Sequence, residues 1–277
     1  MVKAFSEILG EEVDIPERPA RIVSFSPAIT EALFLLGFGD AVVGVSAFCA
    51  RPPEAAMKRK VGSYNTVDPQ LLSELRPDLI FTVTGYQREF AVALSKRFPV
   101  YPLELPVSVA GMIDGVAKLG LVLGAPERGR ELALRLLQKL SGIRQVRAKL
   151  RTYVEIDLGG PVSFGAYSYI TDALHLLGAS NIYGDVRSEW LTPPLGEIPG
   201  EDPDVFLYEA KMFSKFVPRK LEELIDRRGW RETGFVRKGN YFLTPGPLDF
   251  LAHHGPSFVT EAIPWLQERL ESAERRI

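Results

Sequence analysis

The chain repeats itself, and any fold proposed for one half must serve the other. Residues 29–37 read I-T-E-A-L-F-L-L-G and residues 170–178 read I-T-D-A-L-H-L-L-G, differing only at Glu31/Asp172 and Phe34/His175. V-S-F stands upstream of each copy, at 23–25 and 162–164, the second with a connecting loop two residues longer. A further echo sets R-P-D-L-I-F at 76–81 against D-P-D-V-F-L at 202–207. Two ordered matches, at offsets of 141 and 126 residues, imply two lobes of one design. The 277 residues suffice for two lobes of about 130, each able to bury most of its apolar surface.

Each lobe alternates short apolar strands with periodic helices, the pattern of a mainly parallel sheet with helices on its faces. In the first lobe strands are expected near 21–25, 42–45, 79–83 and 99–102, and helices near 27–36, 69–75, 87–96 and 108–123. In the second, strands are expected near 152–157, 205–208 and 240–243, and helices near 168–177, 217–228 and 256–270. The intervening APERGRELALRLLQKLSGIRQVRAKL reads as one amphipathic helix over 125–150. Pro126 suits its first turn, and Leu132, Leu136, Leu140, Ile143 and Leu150 mark an apolar stripe. At 1.5 Å per residue it would make a stiff strut of about 35 Å. The expected fold class is therefore α/β: an N-terminal lobe over 1–124, a rigid helix over 125–150, a C-terminal lobe over 151–277, and a ligand cleft between the lobes. Ligands of open α/β sheets sit beyond the carboxyl ends of the strands, so the strand-to-helix loops are where function is sought.

Several functions are excluded before those loops are read. A net charge of −2 gives no pull toward nucleic acid or anionic membrane. No run approaches the roughly 18 apolar residues of a membrane span. Cys49 is the single cysteine, which rules out an internal disulfide and a multi-cysteine metal site. The opening MVKAFSEILGEEVDIPERPAR has no apolar core of the secretory kind, so the chain as written is expected in the cytoplasm, and outside it if a signal was trimmed. Asn and Gln total only 8 and surface charge is rich in Glu and Arg, which points to a thermophilic source.

Catalytic signatures are missing. No G-x-G-x-x-G or Walker A pattern follows a strand. Ser26-Pro27 reads as N-cap followed by the first helical position. A nucleophilic Ser26 would need a base; G-x-S-x-G is absent, and the equivalent turn of the second lobe is expected to carry Gly165 where Ser26 stands. A hydrolase using Ser26 or Cys49 with His253 or His254 is the alternative from a different class. His175 falls inside a leucine-rich helix. His253 and His254 lie in a loop with Asp249 nearby, where one imidazole could contact a ligand. Two adjacent histidines do not close a metal site, and no catalytic cofactor is expected.

What the loops hold is aromatics. Phe48 follows the second strand, Tyr64 precedes a helix and Tyr86 follows the strand ending near Thr82–Gly85. Phe164, Tyr167, Tyr169, Trp190, Phe213 and Phe250 occupy loops of the second lobe. Tyr64, Tyr86 and Trp190 stand beside Gly, Asn, Gln or Ser, where a core ring would be odd. Rigid aromatics in a cleft favour a flat or bulky amphipathic ligand.

These stretches resemble a family. VDIPERPARIVSFSPAITEALFLLGFGDAVVGVSAFCARPPEA and VGSYNTVDPQLLSELRPDLIF are similar to the first lobe of the substrate-binding proteins of cobalamin, siderophore and haem ABC importers. SFGAYSYITDALHLLGASNIYGD and NYFLTPGPLDFLAHHGPSFVTEAI are similar to the second. The resemblance runs from about Val13 to nearly the end of the chain. It is greatest for the cobalamin-binding branch, through G-V-S-x-F-x-x-x-P-P at 44–53 and the aromatic after V-G-S. It implies non-catalytic binding of cobalamin or a related corrinoid, by an importer's receptor or a cytoplasmic corrinoid binder. The contacting positions implied are Phe48, Tyr64, the 83–86 loop with Tyr86, Phe164 and Tyr167, Trp190, and the 253–255 loop with His253 and His254. Ferric siderophore or haem is the alternative ligand: Tyr64, Tyr86 and Arg187 could anchor an anionic chelate, and haem would use a Tyr or His axial ligand. Family receptors dock on an ABC permease through an acidic residue near the start of a helix in each lobe. The matching positions here are Gln70 and Gly196, with Glu197 adjacent.

Overall fold

Chain contacts divide the computed structural model, which describes residues 1–215 and 217–277, into two units. One comprises Met1–Pro106 and Ala110–Gln138, the other Val107–Val109 and Lys139–Ile277. The first opens with an antiparallel hairpin, β1 (Val2–Ser6) and β2 (Glu11–Ile15). Five strands follow: β3 (Ile22–Ser24), β4 (Val42–Ser46), β5 (Arg59–Gly62), β6 (Leu79–Val83) and β7 (Val100–Leu103). They form one all-parallel sheet in the order β5-β4-β3-β6-β7. β3 and β6 are buried along their whole length, as expected where helices cover both faces.

The helices of this unit are α1 (Pro27–Leu35), the single turn α2 (Pro53–Ala56), α3 (Pro69–Leu75), α4 (Arg88–Ser95), most of α5 (Val109–Val122) and most of α6 (Pro126–Ser141). α5 and α6 touch backbone to backbone, for a Cβ added to Gly120 would lie 2.6 Å from Gly129 Cα. α6 is 16 residues long, about 24 Å, where the sequence implied a helix to residue 150. The amides beyond it are claimed from outside. Arg144 N–H donates to Gln267 (2.9 Å), Arg147 and Ala148 N–H to Glu274 (2.6 and 2.7 Å), and Val146 N–H to Leu177 O (2.9 Å). An apolar stripe at helical spacing can equally mark an irregular segment pinned by side chains.

The second unit centres on β8 (Arg151–Asp157). β9 (Pro161–Phe164), β10 (Ser180–Asn181), β11 (Trp190–Leu191), β12 (Val205–Glu209) and β13 (Tyr241–Leu243) complete a sheet of order β11-β9-β8-β12-β13, with β10 also on β8. β10 and β12 run parallel to β8, and β13 parallel to β12. β9 and β11 are antiparallel. Its helices are α7 (Tyr169–Leu176), the single turns α8 (Ile198–Glu201) and α10 (Gly234–Arg237), α9 (Pro218–Arg227) and α11 (Ile263–Glu274). Tyr153, Phe206, Trp230 and Phe235 fill the core, with Tyr153 and Phe206 stacked at 5.2 Å. No helix among the described residues is long and apolar enough to cross a membrane.

The repeat holds at atomic detail in two places. α1 and α7 carry the nine-residue motif. The 76–81 and 202–207 echoes place left-handed residues, Arg76 (φ 43°) and Asp202 (φ 40°), just ahead of β6 and β12. Asp78 then accepts the amides of Ala20 (2.8 Å) and Arg21 (3.0 Å), while Asp204 accepts that of Arg151 (2.9 Å). Arg21 Nε donates to Leu75 O at 2.8 Å, and Arg151 Nη1 donates likewise to Glu201 O. Each central strand, β3 or β8, is thus clipped at its start by the same Arg–Asp pair of devices.

The V-S-F echo does not hold. Val23 and Ser24 end the central parallel strand β3, whereas Val162, Ser163 and Phe164 lie on the antiparallel β9. β9 lies between β8 and α7 and pairs with β11, which follows α7 and β10 in the chain, so β8 is the counterpart of β3. A Val-Ser-Phe alternation fits any half-buried strand, which is why three residues misled. The correction extends to the cap. Ser168 accepts Ile170 N–H at 3.2 Å at the start of α7, as Ser26 accepts Ile29 N–H at 3.4 Å at the start of α1. The serine recurs, and Gly165 belongs to the loop after β9.

Candidate functional site

In the first unit Phe48, Tyr64 and Tyr86 stand just past the carboxyl ends of β4, β5 and β6. Their rings form one cluster. Phe48 and Tyr64 stack at 4.3 Å with planes 6° apart, and Tyr86 meets Tyr64 edge-on at 5.5 Å and 83°. Tyr86 is exposed, and Phe48 and Tyr64 are half-buried. Pairs of this kind are worth about 0.5–1.5 kcal/mol each beyond their burial, so the wall is formed before any ligand arrives.

Gln87 supports it from below. Fully buried, it accepts Val83 N–H on Oε1 at 2.8 Å and donates through Nε2 to Phe25 O (3.2 Å) and to Tyr64 O. One side chain ties together the chain ends leaving β3, β5 and β6. Ser26 and Cys49 are buried beside this wall. Cys49 Sγ lies 3.1 Å from Thr30 Oγ1 and 3.2 Å from Ser46 Oγ, and burial pushes its thiol up. All three histidines of the chain belong to the other unit, and a protonated thiol is a poor nucleophile.

In the second unit the β9–β11 ribbon sets Phe164 opposite Trp190. Phe164 is buried, while Trp190 is 44% and Tyr167 52% exposed. The loop after β9 is strapped down. Gly165, Ala166 and Tyr167 N–H donate to the carbonyls of Glu189 (3.2 Å), Val186 (2.7 Å) and Ser188 (3.0 Å). A Cβ at Gly165 would fall 2.4 Å from Ser188 O and 2.5 Å from Val186 O, so only glycine allows this approach.

The 249–255 loop hangs from the end of β12. Glu209, fully buried, accepts the amides of Phe250 (3.1 Å), Leu251 and Ala252 (3.3 Å). Burial pushes its carboxyl up to about 7, against the pull of those three N–H groups. Tyr169, first residue of α7, donates its hydroxyl to Leu251 O at 2.9 Å. His253 is buried with Nδ1 3.4 Å from Asp249 Oδ2. His254 packs 6.2 Å from the Tyr169 ring. Its Nε2 is shut off from solvent without a hydrogen-bond partner among the described residues. Burial, then the neighbouring His253, lower it to about 4, so the ring is neutral near pH 7.

The residues singled out from sequence thus fall into two groups. Tyr86, Tyr167 and Trp190 present open faces, with Phe48 and Tyr64 half-open behind Tyr86. Phe164 and His253 are buried, Phe164 on the strand paired with that of Trp190. Sequence reasoning missed Gln87 and Glu209, the side chains that hold the loops in place. Glu209 did leave a signal: an acid closing the apolar strand V-F-L-Y-E must find donors. Gln87 left none. Aromatic faces held rigid on strand-end loops make a binding surface for a flat or bulky ligand.

Residues 22–248 match the protein family described as periplasmic binding protein. A vitamin B12-binding protein of Yersinia pestis (strain Pestoides F) is 25% identical over 194 residues, covering 68% of this chain and 69% of that protein. The fold is shared with the periplasmic vitamin B12 binding protein of Vibrio cholerae, at a TM-score of 0.73 and 19% identity over 93% of this chain and 98% of the other. It is also shared with the periplasmic heme-binding protein of Roseiflexus sp. RS-1, at a TM-score of 0.75 and 23% identity over 92% and 98%.

Proposed function

The chain belongs to the periplasmic binding protein family, and on that premise we propose that it binds cobalamin or a related corrinoid, without chemistry on it, as the receptor of an ABC importer. The observation that carries this reading is the preformed Phe48–Tyr64–Tyr86 wall, held by Gln87 and suited to the edge and face of a large macrocycle. The vitamin B12-binding relative from Yersinia pestis and the 44–53 segment support the corrinoid over a siderophore or haem. On the second unit Trp190 and Tyr167 supply exposed aromatic surface of the same kind, and His253 and His254 stand on the 249–255 loop as further candidate contacts.

The partner this reading implies is a permease. At the docking positions stand Gln70, exposed in the first turn of α3 with Nε2 3.4 Å from Glu74, and exposed Gly196 followed by Glu197 ahead of α8. Those surfaces would engage a permease with less negative charge than the family pattern.

Cobalamin should quench tryptophan fluorescence saturably. Tyr64→Ala and Trp190→Ala should each weaken binding about tenfold or more, as central aromatic contacts do. Desalting after incubation with cobalamin, haem or a ferric chelate, followed by an absorbance spectrum, separates the ligand classes. Retention of haem or chelate but not cobalamin would refute the corrinoid assignment.

A further inference from the structure

Beyond the aromatic walls, the carboxyl ends of β12 and β13 open onto a hollow of about 460 Å³. Lys211, Ser214 and Thr244 line it together with Val217, Leu243 and Pro247, and no acidic side chain does. Lys211 has no carboxylate partner among the described residues. The start of α9 borders the same hollow, and its first turn holds no acid; Arg219 there pairs with Glu223 at 3.2 Å and Lys220 donates to Lys215 O at 3.0 Å, which leaves Lys211 as the cation lining the hollow.

The loop between Lys211 and Ser214 is unusual in a second way. Phe213 adopts left-handed backbone (φ 63°), which a bulky side chain avoids, and its ring is exposed. Its N–H donates to Pro247 O at 2.6 Å, fixing the loop to the far rim. An aromatic ring held exposed by an unfavourable backbone, next to a lone cation and two hydroxyls, is the arrangement of a binding site rather than of a core.

We propose that this hollow is a subsite for an anionic phosphodiester arm of the ligand, held by Lys211, Ser214 and Thr244, with Phe213 covering its apolar part. The inference rests on the corrinoid reading above. Across the sheet order the hollow lies at the β12–β13 edge, and Trp190 at the opposite β11 edge. Strand spacing makes that about 15–19 Å, so a ligand touching both must be large.

The test is calorimetric titration with cobalamin and with dicyanocobinamide, the corrin macrocycle without the nucleotide phosphodiester. The wild-type protein should bind cobalamin about tenfold tighter, and the preference should shrink as salt is raised. Lys211→Glu should weaken cobalamin about tenfold or more while changing cobinamide less than about twofold, so that cobinamide binding certifies the fold. Phe213→Gly, which suits the backbone, should melt no lower than wild type yet lose several-fold in cobalamin affinity. Equal affinity of the two corrinoids for the wild type, or equal loss of both in Lys211→Glu, overturns the subsite and leaves the corrinoid reading standing. Binding of neither corrinoid overturns both.

Discussion

Replacing Glu209 by glutamine should expose a pH dependence of stability that the natural protein masks. Glu209 is pushed up from 4.5 to about 7 by burial, and His254 is lowered from 6.5 to about 4. Between about 4.5 and 7 the folded state keeps a proton on Glu209 that the unfolded chain has released. The stabilisation from Glu209 is therefore complete below about 4.5 and lost as pH rises through 7. Between about 4 and 6.5 the unfolded chain binds a proton on His254 that the folded state refuses. That contribution is present above 6.5 and lost as pH falls toward 4. Each amounts to about 3 kcal/mol across its window, with slopes of about 1.4 kcal/mol per pH unit and opposite sign. Over pH 4.5–6.5 they nearly cancel. Glu209→Gln leaves only the His254 slope, so stability should gain about 3 kcal/mol relative to wild type between pH 4.5 and 6.5. His254→Gln should show the mirror image. The assay is urea unfolding at three pH values and fixed ionic strength, with the mutant-minus-wild-type difference as readout, since titrating groups away from Asp249 and the histidine pair cancel in it. A constant offset follows from the three amides that lose a carboxylate acceptor. Parallel curves for mutant and wild type would refute the opposed pair.

Two further substitutions probe the scaffold. Gln87→Leu keeps the volume but strands two carbonyls and one amide; it should cost roughly 2–4 kcal/mol and weaken corrinoid binding through Tyr64, as read by thermal unfolding and titration. Asp78→Ala and Asp204→Ala should each destabilise by roughly 1–3 kcal/mol. Having no shared partners, their effects should add to within about 0.5 kcal/mol, as measured by a double-mutant cycle in urea.

Much of this molecule was legible because hydrophobic period and turn chemistry agree locally. The α3 helix begins at Pro69 after the Asp68 cap and ends before the left-handed Arg76, and each boundary is visible as a residue type. The two I-T-x-A-L helices were found as a pair because both bury the same face. Failures occurred where tertiary partners decide. Residues 142–150 carry helix-like spacing, yet Gln267 and Glu274, more than 120 positions away, take their amides. β5 (R-K-V-G) and the β1–β2 hairpin are too polar to announce themselves, with Val61 the one fully buried side chain of β5. The aromatic loops were readable since rings beside Gly and Asn are out of place in a core. That His253 and Phe164 are buried was not readable, because depth depends on which neighbour covers which.

The ribbon of β9 and β11 is built from two stretches of chain, one on each side of the motif helix α7. Its first strand turns back on β8 after Asp157 and leads to Ser168, where the α7 cap restores the arrangement seen at Ser26, and its second strand follows only after α7 and β10. The Arg–Asp clips, the central strands and the motif helices all lie outside it. Trp190 and Tyr167, by contrast, ride on the ribbon and its loop. The recognition surface of the second unit is therefore laced to its frame: Tyr167 comes before α7 and Trp190 after it, and the β9–β11 pairing holds the two stretches together.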